Sequence, residues 1–170
     1  TGGAGTGYNT ENVFDVAGHN ANLMIGTLSV GGQPRIGFAI NTINFDTGIL
    51  DATGIRLGQR SGATTTVNAH TSTLNIGGGT VIIGAGGLEI GTSTATGATL
   101  RTVNAHVNIN NATVTIGHSN ALGAAVRIAN NGVAATGVTV NASLNIFNST
   151  VTIGGGIKKG AALSPANATL

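Results

Sequence analysis

The side chains able to do acid–base chemistry are few and scattered. The acids are Glu11, Asp15, Asp46, Asp51 and Glu89, and only one of them lies beyond residue 51. Enzymes that cleave polysaccharides need clustered carboxylates, one to donate a proton and another to accept one or to stabilise charge. Asp46 and Asp51 are the nearest approach to such a pair. Each stands in a turn-like string, Asp46-Thr47-Gly48 and Asp51-Ala52-Thr53-Gly54, where a short carboxylate holds backbone N–H groups. His70 and His106 occupy similar strings and are expected to align, with Ser143 next in the row. No carboxylate or third ligand recurs with them, so a solvated or turn-capping pair is expected rather than a metal site. The sequence has no aspartate-rich Ca²⁺ nonapeptide, no paired-His zinc helix and no phosphate loop ending in Gly-Lys-Ser/Thr. The expectation is no enzyme, no metal and no cofactor.

Composition narrows the partners. Seven Lys/Arg against five acids give a net charge of +2, and the high pI of 9.7 reflects how few charges there are. Lys158-Lys159 is the only adjacent basic pair, and no basic cluster is interleaved with aromatics, so nucleic acid is not an expected ligand. With no Cys there are no disulfides or thiolate sites, and no apolar run reaches the roughly 18 residues of a membrane helix. The start at Thr1 and the lack of a signal-like segment suggest a mature product or an excised segment. Apolar content of 41% with no Trp, one Tyr and four Phe calls for a narrow core of Ile, Leu, Val and Ala.

The elements that would carry these residues are repeats. Thr66-Val67-Asn68-Ala69-His70, Thr102-Val103-Asn104-Ala105-His106 and Thr139-Val140-Asn141-Ala142-Ser143 begin alike. Each leads to an aliphatic-Asn-aliphatic triplet centred on Asn75, Asn108 or Asn145, and Asn44 centres an earlier one; the four asparagines are 31, 33 and 37 residues apart. Thr80-Val81-Ile82-Ile83-Gly84, Thr113-Val114-Thr115-Ile116-Gly117 and Thr150-Val151-Thr152-Ile153-Gly154 form a second series. Gly54-Ile55-Arg56-Leu57-Gly58, Gly87-Leu88-Glu89-Ile90-Gly91 and Ala125-Val126-Arg127-Ile128-Ala129 form a third, with Gly156-Ile157-Lys158-Lys159-Gly160 a degraded copy. Every element alternates apolar and polar residues and closes on Gly, Asn or Ser, which is strand patterning. A unit of three short strands cannot bury its own apolar face, so copies must stack.

The fold class expected is all-β: a parallel β-solenoid of four to five coils of about 34 residues, with an antiparallel β-sandwich as the alternative. Residues 1–42 read as an irregular or degenerate coil, 43–160 as the repeats and 161–170 as the start of another coil or an inter-subunit contact segment. Val67, Val103, Val140, Val81, Val114, Val151, Leu88 and Val126 are the expected core. Asn44, Asn75, Asn108 and Asn145 should form one hydrogen-bonded ladder, and Asn68, Asn104 and Asn141 a second. Arg56, Glu89 and Arg127 should form an outward column of alternating charge. Thr113/Thr115 and Thr150/Thr152 make a Thr-x-Thr array of the kind that could meet ice, interrupted by Ile82 beside Thr80.

Segments such as Thr73-Leu74-Asn75-Ile76-Gly77-Gly78-Gly79-Thr80-Val81-Ile82-Ile83-Gly84 and Asn145-Ile146-Phe147-Asn148-Ser149-Thr150-Val151-Thr152-Ile153-Gly154 resemble the Gly/Asn/Thr-rich strand repeats of bacterial autotransporter passengers and related secreted β-helical surface proteins. That resemblance, over roughly residues 43–160, implies display at the cell surface, adhesion or a matrix role, and carries over no catalytic residue. The expected function is an extracellular structural protein forming a head-to-tail filament, with the stalk of a longer adhesin as the alternative and ice or polysaccharide binding as weaker ones. The expected partner is another copy of the chain, meeting it through Thr1, Gly2, Gly3, Leu163 and Leu170. Host or cell-surface glycans are a further candidate partner.

Overall fold

A strand whose alternate residues are aliphatic has one face to bury, and its own copy one repeat later can cover it only if the two run parallel. The computed structural model of the chain describes residues 10–31, 37–60, 68–94, 101–117, 124–132, 137–160 and 165–170. The first coil holds β1 (Thr10–Asp15) and β2 (Ala21–Val30), the second β3 (Gly37–Phe45) and β4 (Gly48–Arg60), and the third β5 (Asn68–Ile76) and β6 (Thr80–Ser93). The fourth has β7 (Arg101–Asn110), β8 (Thr113–Ile116) and β9 (Val126–Asn131). The fifth has β10 (Val138–Phe147), β11 (Thr150–Ile153) and β12 (Ile157–Lys159), and β13 (Ala166–Thr169) lies one strand further.

These strands build two sheets. One runs β1-β3-β5-β7-β10-β13; the other runs β2-β4-β6-β8-β11, with β9 paired to the far end of β6 and β12 to the start of β9. All the ladders are parallel, so the chain is a β-solenoid and not an antiparallel sandwich. The three series of the sequence are the three walls of each coil. In the fourth and fifth coils the second and third walls are separate strands; in the first three they are one long bent strand.

The core is the set of columns these registers create. Leu50, Val81 and Val114 stack at one level and Ile55, Leu88 and Val126 at another, all at most 1% exposed. Val103 and Val140 are fully buried, as expected, while Val151 in the fifth coil is half-buried against the same core. The segments Leu23-Met24-Ile25 and Leu28-Ser29-Val30 align with Leu50-Asp51-Ala52 and Ile55-Arg56-Leu57, so regular pairing begins in the first coil.

Two expectations need correction. The string Thr66–His70 does not sit beside Thr102–His106 at its offset of 36; β5 pairs with β7 at an offset of 33, placing Asn68 opposite Arg101 and His70 opposite Val103. Val67 itself lies outside the described residues. The reason is parity. Leu74 and Ile76 must face inward to meet Val107 and Ile109, and His70 lies four residues before Leu74 as Val103 lies four before Val107, so the strand turns His70 inward. His70 therefore takes the core column and is 1% exposed, and it does not align with His106. The other correction concerns Glu89. Register does place it between Arg56 and Arg127, but it is 5% exposed rather than on an open outer column.

Candidate functional site

The recurrent polar side chains of the first sheet form its outer face. Because alternate residues point outward and the register is fixed by the aliphatic residues between them, each outward position becomes a column along the solenoid axis. Asn75 donates from Nδ2 to Asn44 Oδ1 at 2.9 Å, Asn108 to Asn75 at 2.8 Å and Asn145 to Asn108 at 2.8 Å. The first expected ladder is thus continuous over four coils. The second contains Asn141 donating to Asn104 at 3.0 Å and Asn104 donating to the Thr71 hydroxyl at 3.3 Å. Thr71 stands where Asn68 was expected, for the parity reason given above. Asn167 of β13 extends this ladder by donating to Asn141 at 2.8 Å. Asn148 and Asn111 make a third pairing at the turn into the second sheet, both in left-handed backbone (φ 45 and 53). Asn tolerates that conformation better than other side chains because its short amide can bond locally.

Between the two ladders runs the column Thr73–His106–Ser143, where His106 Nδ1 lies 2.9 Å from Ser143 Oγ. A serine bonded to a histidine is the beginning of a nucleophile–base pair. Acyl transfer also needs N–H donors aimed at the developing oxyanion. Here the flanking Asn104, Asn108, Asn141 and Asn145 amides each donate along the axis to the preceding coil. The Ser143 hydroxyl also accepts a 3.4 Å contact from Asn145. The His106–Ser143 contact links the fourth and fifth coils along this column.

The carboxylates are placed as turn clamps. Both oxygens of Asp46 accept the Gly18 N–H at 2.9 Å, tying the first coil to the second, and Asp15 Oδ1 accepts Ala17 N–H at 3.0 Å. Asp51 is half-buried on the outside of the second sheet, between Met24 and Ile82. Asp46 thus sits in the turn between β3 and β4, and Asp51 on the outer face of β4. Among the described residues, no three His, Cys, Asp or Glu side chains gather as a metal site would require.

The second sheet's outer face carries Thr80, Thr113 and Thr150 in one column and Ile82, Thr115 and Thr152 in the next. All six are exposed, with Ile49 and Met24 continuing the face toward the first coil. The threonine array is thus confined to three coils and gives way to a mixed apolar surface.

Sequence reasoning missed two structural positions. Asn131, fully buried, donates to the carbonyls of Val138 at 3.3 Å and Pro165 at 3.2 Å, holding two successive corners; its neighbours in sequence gave no sign of this. Gly58, Gly91 and Ala129 form a column of left-handed residues (φ 66, 72 and 54), where the second sheet bends toward the first. Their alignment was visible in the third repeat series, although its conformation was not.

No family model matches the chain, and neither a curated protein nor a solved structure is significantly similar to it.

Proposed function

We propose that the chain is an extracellular structural protein, a solenoid segment that joins copies of itself end to end into a filament. The observation that carries this reading is the state of the two terminal coils. Their strands keep the register of the interior, yet the inner faces are open. At one end Phe14 is 49% exposed and Leu23, Ile25 and Leu28 are only partly covered; at the other Ile146 is 45% and Ile157 40% exposed. Inward-facing apolar surface of this kind is stabilised by a further coil laid across it. The likeness of the Gly/Asn/Thr strings to autotransporter passengers supports placement at the cell surface, with an adhesive or matrix role.

The purified 170-residue chain tests this. Sedimentation velocity and negative-stain electron microscopy over a concentration series should give filaments one solenoid wide, with a fibre-diffraction repeat of about 4.8 Å along the axis. Monodisperse protein at the highest concentrations would rule out self-assembly.

A further inference from the structure

The two ends of the solenoid differ in charge. Up to residue 54 the sequence has four acids and one arginine, a net −3; from residue 95 onward it has Arg101, Arg127, Lys158, Lys159 and no acid, a net +4. The stretch between, with Arg56, Arg60 and Glu89, carries +1, which completes the overall +2. The fold turns this asymmetry in sequence into one along the axis, because residue number rises coil by coil. Glu11 and Asp15 are exposed on β1, the outermost strand of the first sheet at one end. They occupy the same columns that carry the amide ladders further along, since Glu11 pairs with Ile40 ahead of Thr71 and Asp15 pairs with Asn44. Lys158 and Lys159 are exposed on β12, the outermost strand of the third wall at the other end.

Lys159 adds a separate observation. It pairs with Ile128, which pairs with Ile90, which pairs with Leu57, so the lysine stands at a core-facing position. An inward-pointing charge on an edge strand is a poor neighbour for another aliphatic coil and discourages indiscriminate pairing. It is tolerable where the covering surface brings negative charge, with the aliphatic stem lying over Ile128.

We propose, resting on the filament reading above, that the junction is polar and electrostatically selected: the acidic first-coil end of one copy docks on the basic fifth-coil end of the next. The occupant of each open end is a second copy of this chain in the same orientation. Head-to-head contacts would set Glu11 and Asp15 against themselves, and tail-to-tail contacts would do the same to Lys158 and Lys159. Complementary potentials select orientation and speed encounter, whereas the apolar inner faces supply affinity. A contact of this heterologous kind does not close on itself and propagates.

Charge reversal at each end tests the proposal. The first variant is K158E/K159E, which makes β12 acidic and removes the net positive charge of that end; the second is E11K/D15K, which makes β1 basic and reverses the net charge of the other end. The Asp15 bond to Ala17 is solvent-exposed, so water can replace it. Each variant alone should need at least about tenfold more protein to assemble than the parent, and an equimolar mixture should restore assembly as an alternating copolymer. Raising NaCl from about 20 mM to about 500 mM, which shortens the screening length severalfold, should weaken parental assembly. Variants that assemble alone as well as the parent, or a mixture no better than its components, overturn the polar junction and leave the filament standing. A parent that stays monomeric throughout overturns the filament itself. If a variant loses its β-sheet circular dichroism, the parental salt series decides: assembly indifferent to salt overturns the proposal.

Discussion

Gly91→Ala should destabilise the solenoid by about 2–4 kcal/mol, while Ala129→Gly at the equivalent position one coil later should stay within about 1 kcal/mol of the parent. Both residues are in left-handed backbone, at φ 72 and 54. A side chain there costs about 1–2 kcal/mol through its Cβ contact with the carbonyl oxygen. At Gly91 the added methyl would also lie 2.9 Å from Val140 Cγ1 and 3.0 Å from Ala142 Cβ, so the first sheet would have to move outward. Overpacking of that kind adds about 1–3 kcal/mol. At Ala129 the strain is already present, in a methyl that is fully buried. Removing it relieves the left-handed strain but forfeits about 0.8 kcal/mol of burial and about 0.5–1 kcal/mol of chain entropy, so the terms nearly cancel. Ala105→Gly is the control, since Ala105 is fully buried with no positive φ and should pay the same losses without the relief. Urea unfolding followed by circular dichroism measures all three. Equal costs for Ala129→Gly and Ala105→Gly would show that residue 129 is unstrained and that the bend is not set by this column.

That column also shows which parts of the molecule the sequence makes readable. Wherever aliphatic and polar residues alternate beside a recurring asparagine, as at Leu74-Asn75-Ile76, Val107-Asn108-Ile109 and Leu144-Asn145-Ile146, spacing alone specifies register, wall and ladder. Two independent constraints agree there: the apolar residues choose the face, and the amides gain a hydrogen bond only when aligned. The five-letter likeness of Thr66–His70 to Thr102–His106 does not set register, because only the parity of each string with its following aliphatic triplet does. Once β5 is anchored at Leu74, His70 must go inside and Thr71 must join the second ladder. Glu89 illustrates another limit. Alternation tells that a residue does not face the core, but not whether neighbouring chain covers it, and Glu89 is 5% exposed. Asn131 lies further beyond reach, because its partners Val138 and Pro165 belong to corners whose approach depends on the path of the whole coil. The repeated residues satisfy one another along the axis, and the functional proposal rests on the terminal coils, where the inward-facing Phe14, Ile146 and Ile157 are 49%, 45% and 40% exposed.

The ladder itself gives the sharpest pH-dependent test. Asn75→Asp keeps the shape of the side chain but alters its hydrogen-bonding capacity. Asn75 now donates to Asn44 Oδ1 at 2.9 Å and accepts from Asn108 Nδ2 at 2.8 Å, in a half-buried position near the end of β5, two residues after Thr73 and two before Gly77. A carboxylate can still accept from Asn108. It cannot donate to Asn44, and two oxygens would face each other across the gap. The expected cost at neutral pH is about 1–3 kcal/mol, that of an unmet partner in a partly desolvated site. Protonation supplies an O–H that donates to Asn44 and closes the ladder again. The folded state therefore favours the protonated form, and the introduced group's pKa rises above its unfolded value of about 3.9. By linkage, the recovered stability is fully present below that unfolded value and is lost as pH rises through the folded one. Asn75→Leu removes both hydrogen bonds and introduces no titrating group, so its deficit relative to the parent should be flat with pH. Thermal melts of the three proteins from about pH 3 to pH 7, read as differences from the parent at each pH, cancel the titration of the native acids. The aspartate curve should approach the parent at the acid end and diverge from it toward neutrality. A deficit that does not change with pH would mean that the Asn75 and Asn44 side chains are not hydrogen-bonded to each other, and that backbone pairing and aliphatic packing hold these coils together without that bond.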